Sequence, residues 1–201
     1  MIVTLIDHGA CNVASVERAL FRIGAQSVRA STPSAIANAT TLLLPGVGHF
    51  SALIRALDEQ ALRQPLLEGI ARGVPFLGIC LGLQALYESS DEAPALQGLA
   101  VLPGRVSALP PTVKLPHMGW NRVNAAANSR LLRGIPADSY FYFAHSFAAP
   151  GTGGTTAANC EHGATFAAVI EYRNIFATQF HPEKSGDAGA LLLRNFVSLA
   201  A

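Results

Sequence analysis

The stretch Pro75–Gln84, PFLGICLGLQ, decides how this chain folds. Its first half is a short apolar run typical of a buried strand, and residues 81–88 are expected to continue as a helix with no intervening loop. Cys80 therefore falls on the turn between them. Gly78 and Gly82 lie two residues to either side, and residues without a Cβ let strand and helix approach closely. The pattern predicts a G-x-C-x-G nucleophile elbow with the sulfur at the carboxyl end of the strand.

A helix that begins at Cys80 would place unpaired N–H groups and partial positive charge behind the sulfur, which favours a thiolate. The N–H of Leu81 is also in a position to receive an oxyanion. The alternative is that Cys80 is an inert small hydrophobe at the end of an apolar strand, since cysteine is among the most buried residue types. The flanking glycines and the His-Pro-Glu sequence described below favour the reactive cysteine.

Upstream of the elbow, apolar runs alternate with helical patterns. Asn12 is placed to cap the first helix, and Gly24 to end it. Strands that alternate with helices predict a mostly parallel sheet covered on both faces. The predicted strands cover residues 2–6, 26–28 and 41–44, and the predicted helices cover 13–23, a segment led by Pro33, 50–58 and 62–71.

Downstream of the elbow, the chain changes to short runs of β-forming residues broken by Pro and Gly. These runs, at 98–106, 118–123 and 140–147, indicate an antiparallel or mixed sheet. A hairpin is predicted to turn at Arg173 and Asn174, and a closing helix to cover residues 186–201. No internal repeat or long linker divides the chain. We therefore expect one α/β domain over residues 1–201.

Composition excludes several classes of function. The net charge of +1 gives no electrostatic footprint for nucleic acid, so no nucleic-acid partner is expected. The three cysteines are odd in number and have no C-x-x-C spacing, which predicts neither a disulfide framework nor a metal site. The first residues have no basic n-region or small-residue cleavage site, so no signal peptide is expected, and no apolar run approaches the ~18 residues of a membrane span. We expect a cytoplasmic protein that does not bind membranes.

His181-Pro182-Glu183 supplies the two groups that a thiol nucleophile needs. A base must hold or take the proton, and a carboxylate must orient that base. In an extended segment, residues i and i+2 point the same way, so the imidazole and the carboxylate are expected to face one cleft. An isolated loop histidine is usually a surface residue, but the other histidines have no carboxylate placed in this way: His8, His49, His117, His145 and His162.

Pro45-Gly46-Val47-Gly48 follows the third predicted strand, which we expect beside the elbow strand. Glycines there leave backbone N–H groups free to line an anion or oxyanion site. The alternative is a dinucleotide fingerprint, but G-x-G-x-x-G requires a third glycine where Ser51 stands. We therefore expect no cofactor.

The elbow, the Phe180–Glu183 segment and the Pro45–Gly48 loop together resemble the class I, or triad, glutamine amidotransferases. Other stretches narrow the resemblance to the glutaminase subunits of imidazole glycerol phosphate synthases, which act in histidine biosynthesis. These are PHMGWN at 116–121, YFAHSF at 142–147, Lys184-Ser185, Ser15-Val16, and the Asp7, Gly9 and Asn12 positions of the first loop. The resemblance runs from residue 2 to the C-terminus.

The resemblance implies a mechanism. Cys80 would attack the carboxamide of glutamine, His181 would pass the proton to the leaving ammonia, and Glu183 would orient His181. The Leu81 N–H and a peptide N–H of the Val47-Gly48 loop would hold the oxyanion. The positions that match substrate-binding residues of the family are Gly46, Gln84, His145, Ser146 and Phe147.

The resemblance also implies a partner. Ammonia would pass to a (β/α)₈-barrel cyclase subunit, which forms a heterodimer with the glutaminase. The cyclase uses the ammonia to convert a phosphoribulosyl-formimino ribonucleotide into imidazole glycerol phosphate and an aminoimidazole carboxamide ribotide. Asn12, Trp120 and Lys184 match interface positions near the ammonia passage, although Trp120 could instead be an ordinary core aromatic.

The chain departs from the family pattern at three positions. His8 replaces a usual Tyr in the first loop, and Cys11 replaces a Gly. Because Cys11 carries a Cβ that resists a positive φ, we expect this loop to bend differently or to accept strain. Phe147 stands where Tyr is common.

Two alternative functions stay open. The chain could be a class I glutaminase that serves another acceptor, such as the glutaminase of pyridoxal phosphate synthase. That family carries a Gly-Gly-Glu-Ser-type oxyanion segment, which Pro-Gly-Val-Gly does not match. The chain could also be a catalytically silent flavodoxin-like binding module, although all three triad positions are filled.

Overall fold

A computed structural model describes residues 2–9, 12–151 and 153–200. Its centre is an eight-stranded mixed sheet, which confirms the predicted α/β class. Five of the strands are parallel neighbours and form the half of the sheet that carries the elbow. In their order across the sheet they are β2 (Gln26–Ala30), β1 (Ile2–Ile6), β3 (Leu42–Gly46), β4 (Phe76–Cys80) and β13 (Ile175–Thr178).

Antiparallel strands continue the same sheet beyond β13. They are β12 (Thr165–Tyr172), β11 (Thr156–Glu161) and β8 (Asn124–Ala125). The predicted hairpin is thus confirmed as β12 and β13, which turn at Arg173 and Asn174. The turn is fixed from outside, because the Asn174 side-chain amide donates to the carbonyls of Ile70 and Val74.

Two smaller sheets complete the C-terminal half. One has the order β10 (Phe147–Ala148), β6 (Leu102–Ala108) and β5 (Tyr87–Ser90), and the other pairs β7 (His117–Asn121) with β9 (Phe141–His145). The predicted second region of antiparallel or mixed pairing is therefore present. The antiparallel strands β12, β11 and β8 belong to the central sheet and not to these smaller sheets, because β12 pairs with the free edge of β13.

Helices cover the sheet on both faces. The helices are α1 (Val13–Arg22), α2 (Pro33–Ala37), α3 (Phe50–Glu59), α4 (Arg63–Ala71), α5 (Leu81–Gln84) and α6 (Gly186–Leu199). One buried cluster includes Val16 of α1 and Phe196 of α6, and a second includes Leu53 of α3 and Leu66 of α4. The predicted cap is also present, since Asn12 Oδ1 accepts a hydrogen bond from the Ser15 N–H at 3.3 Å. None of these helices has the length and hydropathy of a membrane span within the described residues.

The helix predicted over residues 81–88 is wrong in length. It ends at Gln84, and Tyr87 begins β5. The carbonyls of residues 85–88 accept from a later segment of the chain instead: Leu99 N donates to Ala85 O at 2.7 Å, and Gly98 N donates to Glu88 O at 2.9 Å. Local helical periodicity is overridden here by pairing with a segment more than ten residues away.

Candidate active site

Cys80 lies on a strained turn between β4 and α5. Its φ is +53° and its ψ is −105°, a conformation that L-residues rarely adopt and that is typical of a nucleophile elbow. The flanking glycines permit it. A Cβ on Gly82 would lie 2.1 Å from the Leu44 carbonyl oxygen, and one on Gly78 would lie 2.6 Å from the Gly82 carbonyl oxygen. The elbow forms because these positions have no side chain.

His181 and Glu183 follow β13, the parallel neighbour of β4. Imidazole Nδ1 lies 2.8 Å from Glu183 Oε1, and both side chains are buried. The expectation of an extended segment holds for His181 alone, because residues 182–184 form a single 3₁₀ turn that brings the carboxylate back to the ring. The backbone of His181 is held on both sides, since its N–H donates to Tyr142 O and its carbonyl accepts from Ser185 Oγ.

Electrostatics favour a positively charged His181. Burial opposes that charge, but hydrogen bonds with Cys80 and Glu183 and the negative charges of both residues outweigh it. Together they raise the pKa of the His181 imidazole to about 10. Because Glu183 occupies Nδ1, the other ring nitrogen is left for the sulfur. The arrangement suits a cysteine and histidine that exchange a proton.

A cleft of about 250 Å³ opens above the elbow, and most of the predicted site residues line it. Glu183 lies behind His181 instead, where it can orient the ring without touching a ligand. The predicted residues on the cleft wall are Val47, Gly48, Cys80, Leu81, Gln84, His145, Ser146, Phe147, His181 and Lys184.

Gly46 is close to the elbow but does not line the cleft. It belongs to β3, opposite Cys80 in the parallel register, and a Cβ at Gly46 would lie 2.7 Å from Leu81 Cβ. Gly46 therefore packs against the start of α5, and its contact with substrate stays a prediction. The loop proper begins at Val47, which is exposed, and Gly48 has a φ of +92°.

The wall opposite this loop is held by buried side chains. Gln84 Nε2 donates to the Phe147 carbonyl at 2.7 Å, and His145 Nδ1 lies 2.9 Å from the same oxygen. Gln84 Nε2 also lies 3.1 Å from Gln179 Oε1. These bonds fix the backbone of residues 145–147 against the helix that follows the nucleophile.

Trp120 is a surface residue and not a core aromatic, with 56% of its area exposed. It makes an edge contact with Tyr142, whose ring lies 5.5 Å from Lys184 Nζ. Met118 is exposed on the same face of β7. Because Lys184 also lines the cleft, this aromatic surface is continuous with the cleft mouth. Asn12 is exposed as well, at the start of α1.

Sequence reasoning missed Glu92 and Gln179. Glu92 lines the cleft, and its Oε2 accepts the Phe50 N–H at 2.6 Å. Gln179 is fully buried, with Nε2 3.6 Å from Cys80 Sγ. No motif marks Glu92. Gln179 directly precedes the Phe180–Glu183 segment, and this position in the sequence is the signal that could have identified it.

The remaining cysteines and histidines do not form a second reactive centre within the described residues. Burial raises the pKa of the Cys160 thiol to about 12. No group of three or more His, Cys, Asp or Glu could hold a metal in the described part of the chain. Cys11, whose loop was expected to bend differently, lies outside the described residues. His8 is described and buried, with Nε2 3.1 Å from the Pro45 carbonyl oxygen.

Comparison with known proteins places this geometry in context. A family model described as Glutamine amidotransferase class-I matches residues 4–199. The chain is 46% identical over 198 residues to the imidazole glycerol phosphate synthase subunit HisH of Methanothermobacter thermautotrophicus, covering 98% of each chain. It is 42% identical over 198 residues to the subunit of the same name from Moorella thermoacetica, covering 98% of this chain and 94% of that one. A crystal structure described as a glutamine amidotransferase has the same fold, with a TM-score of 0.79 at 17% identity, covering 100% of this chain and 99% of the other.

Proposed function

The chain belongs to the class-I glutamine amidotransferase family, and from this premise we propose that it is the glutaminase subunit of imidazole glycerol phosphate synthase in histidine biosynthesis. The observation that carries the proposal is the meeting of Cys80 and His181 at one cleft, with Glu183 bonded to His181 from behind. The two relatives compared above are both named imidazole glycerol phosphate synthase subunit HisH, and the chain matches nearly their whole length. This favours the histidine-pathway cyclase as the ammonia acceptor over pyridoxal phosphate synthase. The strained nucleophile and the charged His181 argue against a silent binding module.

The chemistry proceeds in two halves. Cys80 Sγ adds to the carboxamide carbon of glutamine, and protonated His181 gives its proton to the departing nitrogen, so that ammonia leaves and a thioester forms. His181, now neutral, takes a proton from water as the water attacks the thioester. Glutamate leaves, and the thiolate and imidazolium are restored. Glu183 keeps the ring in place and supports its positive charge in both halves.

The oxyanion of each tetrahedral intermediate needs donors on the cleft wall. Leu81 is the first residue of α5, where N–H groups have no acceptor within the helix. We assign the Leu81 N–H as one donor and a peptide N–H of Val47-Gly48 as the second. The positive φ of Gly48 makes the second peptide easy to reorient, because glycine populates both signs of φ.

The substrate glutamine carries an ammonium group and a carboxylate at its α-carbon. Glu92 is the acidic side chain on the cleft wall, and we assign it to the ammonium. The backbone of Ser146 and Phe147, with Gln84 and His145 behind it, forms the opposite wall. Gly46, beside Cys80 in the parallel register, lets β3 approach the start of α5 closely.

The partner follows from the same assignment. We propose a heterodimer with a (β/α)₈-barrel cyclase, docked on the exposed surface of Trp120, Tyr142 and Lys184 beside the cleft mouth, with Asn12 at the interface. Ammonia then leaves the cleft into the cyclase and not into water. We further propose that residues 1–201 form one amidotransferase domain and that the enzyme works in the cytoplasm.

The test measures glutamine hydrolysis with and without the cyclase and its nucleotide. We expect Cys80→Ala to abolish hydrolysis of glutamine while the assembled enzyme still forms imidazole glycerol phosphate from added ammonium. Cys160→Ser is the matched control and should hydrolyse glutamine normally, because its buried thiol lies away from the cleft. Near wild-type release of ammonia by Cys80→Ala would overturn the proposal.

A further inference from the structure

A buried chain of hydrogen bonds joins the nucleophile to two histidines outside the triad. Its links, given as distances between heavy atoms, run from 2.7 to 3.6 Å. In order they are His117 Nδ1 to His145 Nε2 (3.0 Å), His145 Nδ1 to Phe147 O (2.9 Å), Phe147 O to Gln84 Nε2 (2.7 Å), Gln84 Nε2 to Gln179 Oε1 (3.1 Å) and Gln179 Nε2 to Cys80 Sγ (3.6 Å).

The Phe147 carbonyl fixes the direction of the bonds on the side of the nucleophile. A carbonyl oxygen only accepts, so the Gln84 atom that faces it must be the amide nitrogen. The second hydrogen of that nitrogen points to Gln179, whose facing atom must then be the oxygen. The Gln179 nitrogen consequently faces the sulfur. The Phe147 carbonyl alone fixes this orientation, whichever atoms of the two side-chain amides are first assigned as oxygen and nitrogen.

The same carbonyl fixes the two histidines. Nδ1 of His145 must carry a hydrogen to reach it, so Nε2 of the neutral ring accepts from His117 Nδ1. The remaining nitrogen of His117 then accepts from the Asn121 amide at 3.3 Å. Burial lowers the pKa of His117 to about 4 and that of His145 to about 3, which keeps both rings neutral at physiological pH. The chain therefore holds one arrangement of hydrogens along its length.

The structure assigns Gln179 as a catalytic hydrogen-bond donor to the Cys80 thiolate, held in that orientation by Gln84 and the Phe147 carbonyl. The assignment rests on the proposed glutaminase function. A buried negative sulfur needs hydrogen-bond donors in addition to its counter-ion. Gln179 is fully buried, and the end of β13 places it beside the sulfur.

The bond belongs to the resting enzyme. When the sulfur adds to the carboxamide, its charge moves to the substrate oxygen, which other donors hold. Losing Gln179 should therefore reduce the fraction of reactive thiolate at neutral pH and change the binding of glutamine little. The pH dependence of Cys80 reactivity reports this effect, and a destabilising variant far from the sulfur controls for general damage to the fold.

The experiment measures the rate of Cys80 alkylation by iodoacetamide against pH in the full chain. Gln179→Met keeps the length of the side chain but removes the donor. We expect the midpoint to move up by about one pH unit, with alkylation roughly tenfold slower below the midpoint. Gln179→Glu keeps an acceptor for Gln84 but turns a negative oxygen to the sulfur, so its shift should be larger.

Asn195→Leu is the matched control. Its side-chain amide donates to the carbonyls of Leu131 and Arg133, two long-range bonds that lie away from the cleft. It should lower thermal stability without moving the alkylation profile. Folded Gln179 variants with the wild-type profile would overturn the assignment.

A measurement on the wild-type chain covers the case in which both variants fail to fold. The Gln179 side-chain amide resonances in ¹⁵N-labelled protein should titrate with the midpoint of Cys80 alkylation, and Cys80→Ala should abolish that titration. Amide resonances that do not respond would overturn the assignment. Failure of the proposed function would give a different result. In that case the wild-type chain would hydrolyse no glutamine together with its cyclase, whatever the Gln179 experiments show.

Discussion

His181 connects the nucleophile to the carboxylate, and the geometry ranks the two triad partners. One ring nitrogen faces Glu183 at 2.8 Å, and the ring also interacts with Cys80. In the proposed mechanism the imidazole moves the proton in both halves of the reaction, whereas the carboxylate only orients the ring and stabilises its charge. The two residues therefore differ in what their loss removes.

We predict that His181→Asn loses more glutaminase activity than Glu183→Gln. Gln at 183 can still accept from Nδ1, but it no longer supports the positive ring. Both variants should lose kcat by a factor on the order of 10² or more. Glutamine hydrolysis is measured in the complex, and synthesis from added ammonium in the same samples controls for assembly. Wild-type glutaminase activity in Glu183→Gln would remove Glu183 from the triad.

At the scale of the elements, the elbow depends on how closely β3, β4 and α5 approach. Gly82 is the tightest point, because a Cβ there would lie 2.1 Å from the carbonyl oxygen of Leu44 on β3. The atom in the way belongs to the backbone, so a rotamer change cannot relieve the clash. The strand and the nucleophile turn would have to separate.

We predict that Gly82→Ala lowers the free energy of unfolding by about 1 to 3 kcal/mol, as overpacking does, and also slows glutamine hydrolysis. Gly154→Ala is the matched control, since nothing lies within 4 Å of its added Cβ. Chemical denaturation and glutaminase assays of the two variants give the comparison. Equal stability of Gly82→Ala and Gly154→Ala would show that the elbow tolerates a side chain.

For the whole molecule, buried histidines link stability to pH. Burial lowers the pKa of His117 to about 4 and that of His145 to about 3, and burial also lowers the pKa of His8. An unfolded histidine has a pKa near 6.5. Below pH 6.5 the unfolded chain therefore binds protons that the native chain does not, and the free energy of unfolding decreases as the pH is lowered. His181, with a raised pKa of about 10, acts oppositely: its contribution is full below pH 6.5 and is lost as pH rises toward 10.

We predict that the free energy of unfolding decreases from pH 6.5 to pH 4.5. Each histidine that stays neutral in the native state contributes a slope of up to about 1.4 kcal/mol per pH unit. Urea denaturation across this range measures the slope in the wild type and in His117→Phe, whose ring can keep its stacking on Phe143. The slope in the variant should be shallower by up to about 1.4 kcal/mol per pH unit, the contribution of one bound proton. A wild-type stability independent of pH over this range would contradict the prediction.

The sequence by itself determined the elbow, the alternation of strands and helices in the first half, the hairpin of β12 and β13, and the proximity of His181 to Glu183. Each of these depends on residues that are close in the chain: glycines at 78 and 82, apolar periodicity, or a carboxylate two residues from a histidine. Local sterics and local hydrogen bonds encode such features directly.

Only the tertiary structure decided where α5 ends, that Gly46 lies beside the nucleophile, that Glu92 lines the cleft, and that Gln179 lies next to the sulfur. Those features are set by pairing between distant segments. The parallel register places Gly46 beside Cys80, and the N–H groups of residues 98–102 bond to the carbonyls of residues 85–88, which therefore leave the helix. Gln179 meets a sulfur 99 positions away in sequence. Contacts over such separations depend on how the whole sheet assembles, and no pattern within one segment contains that information.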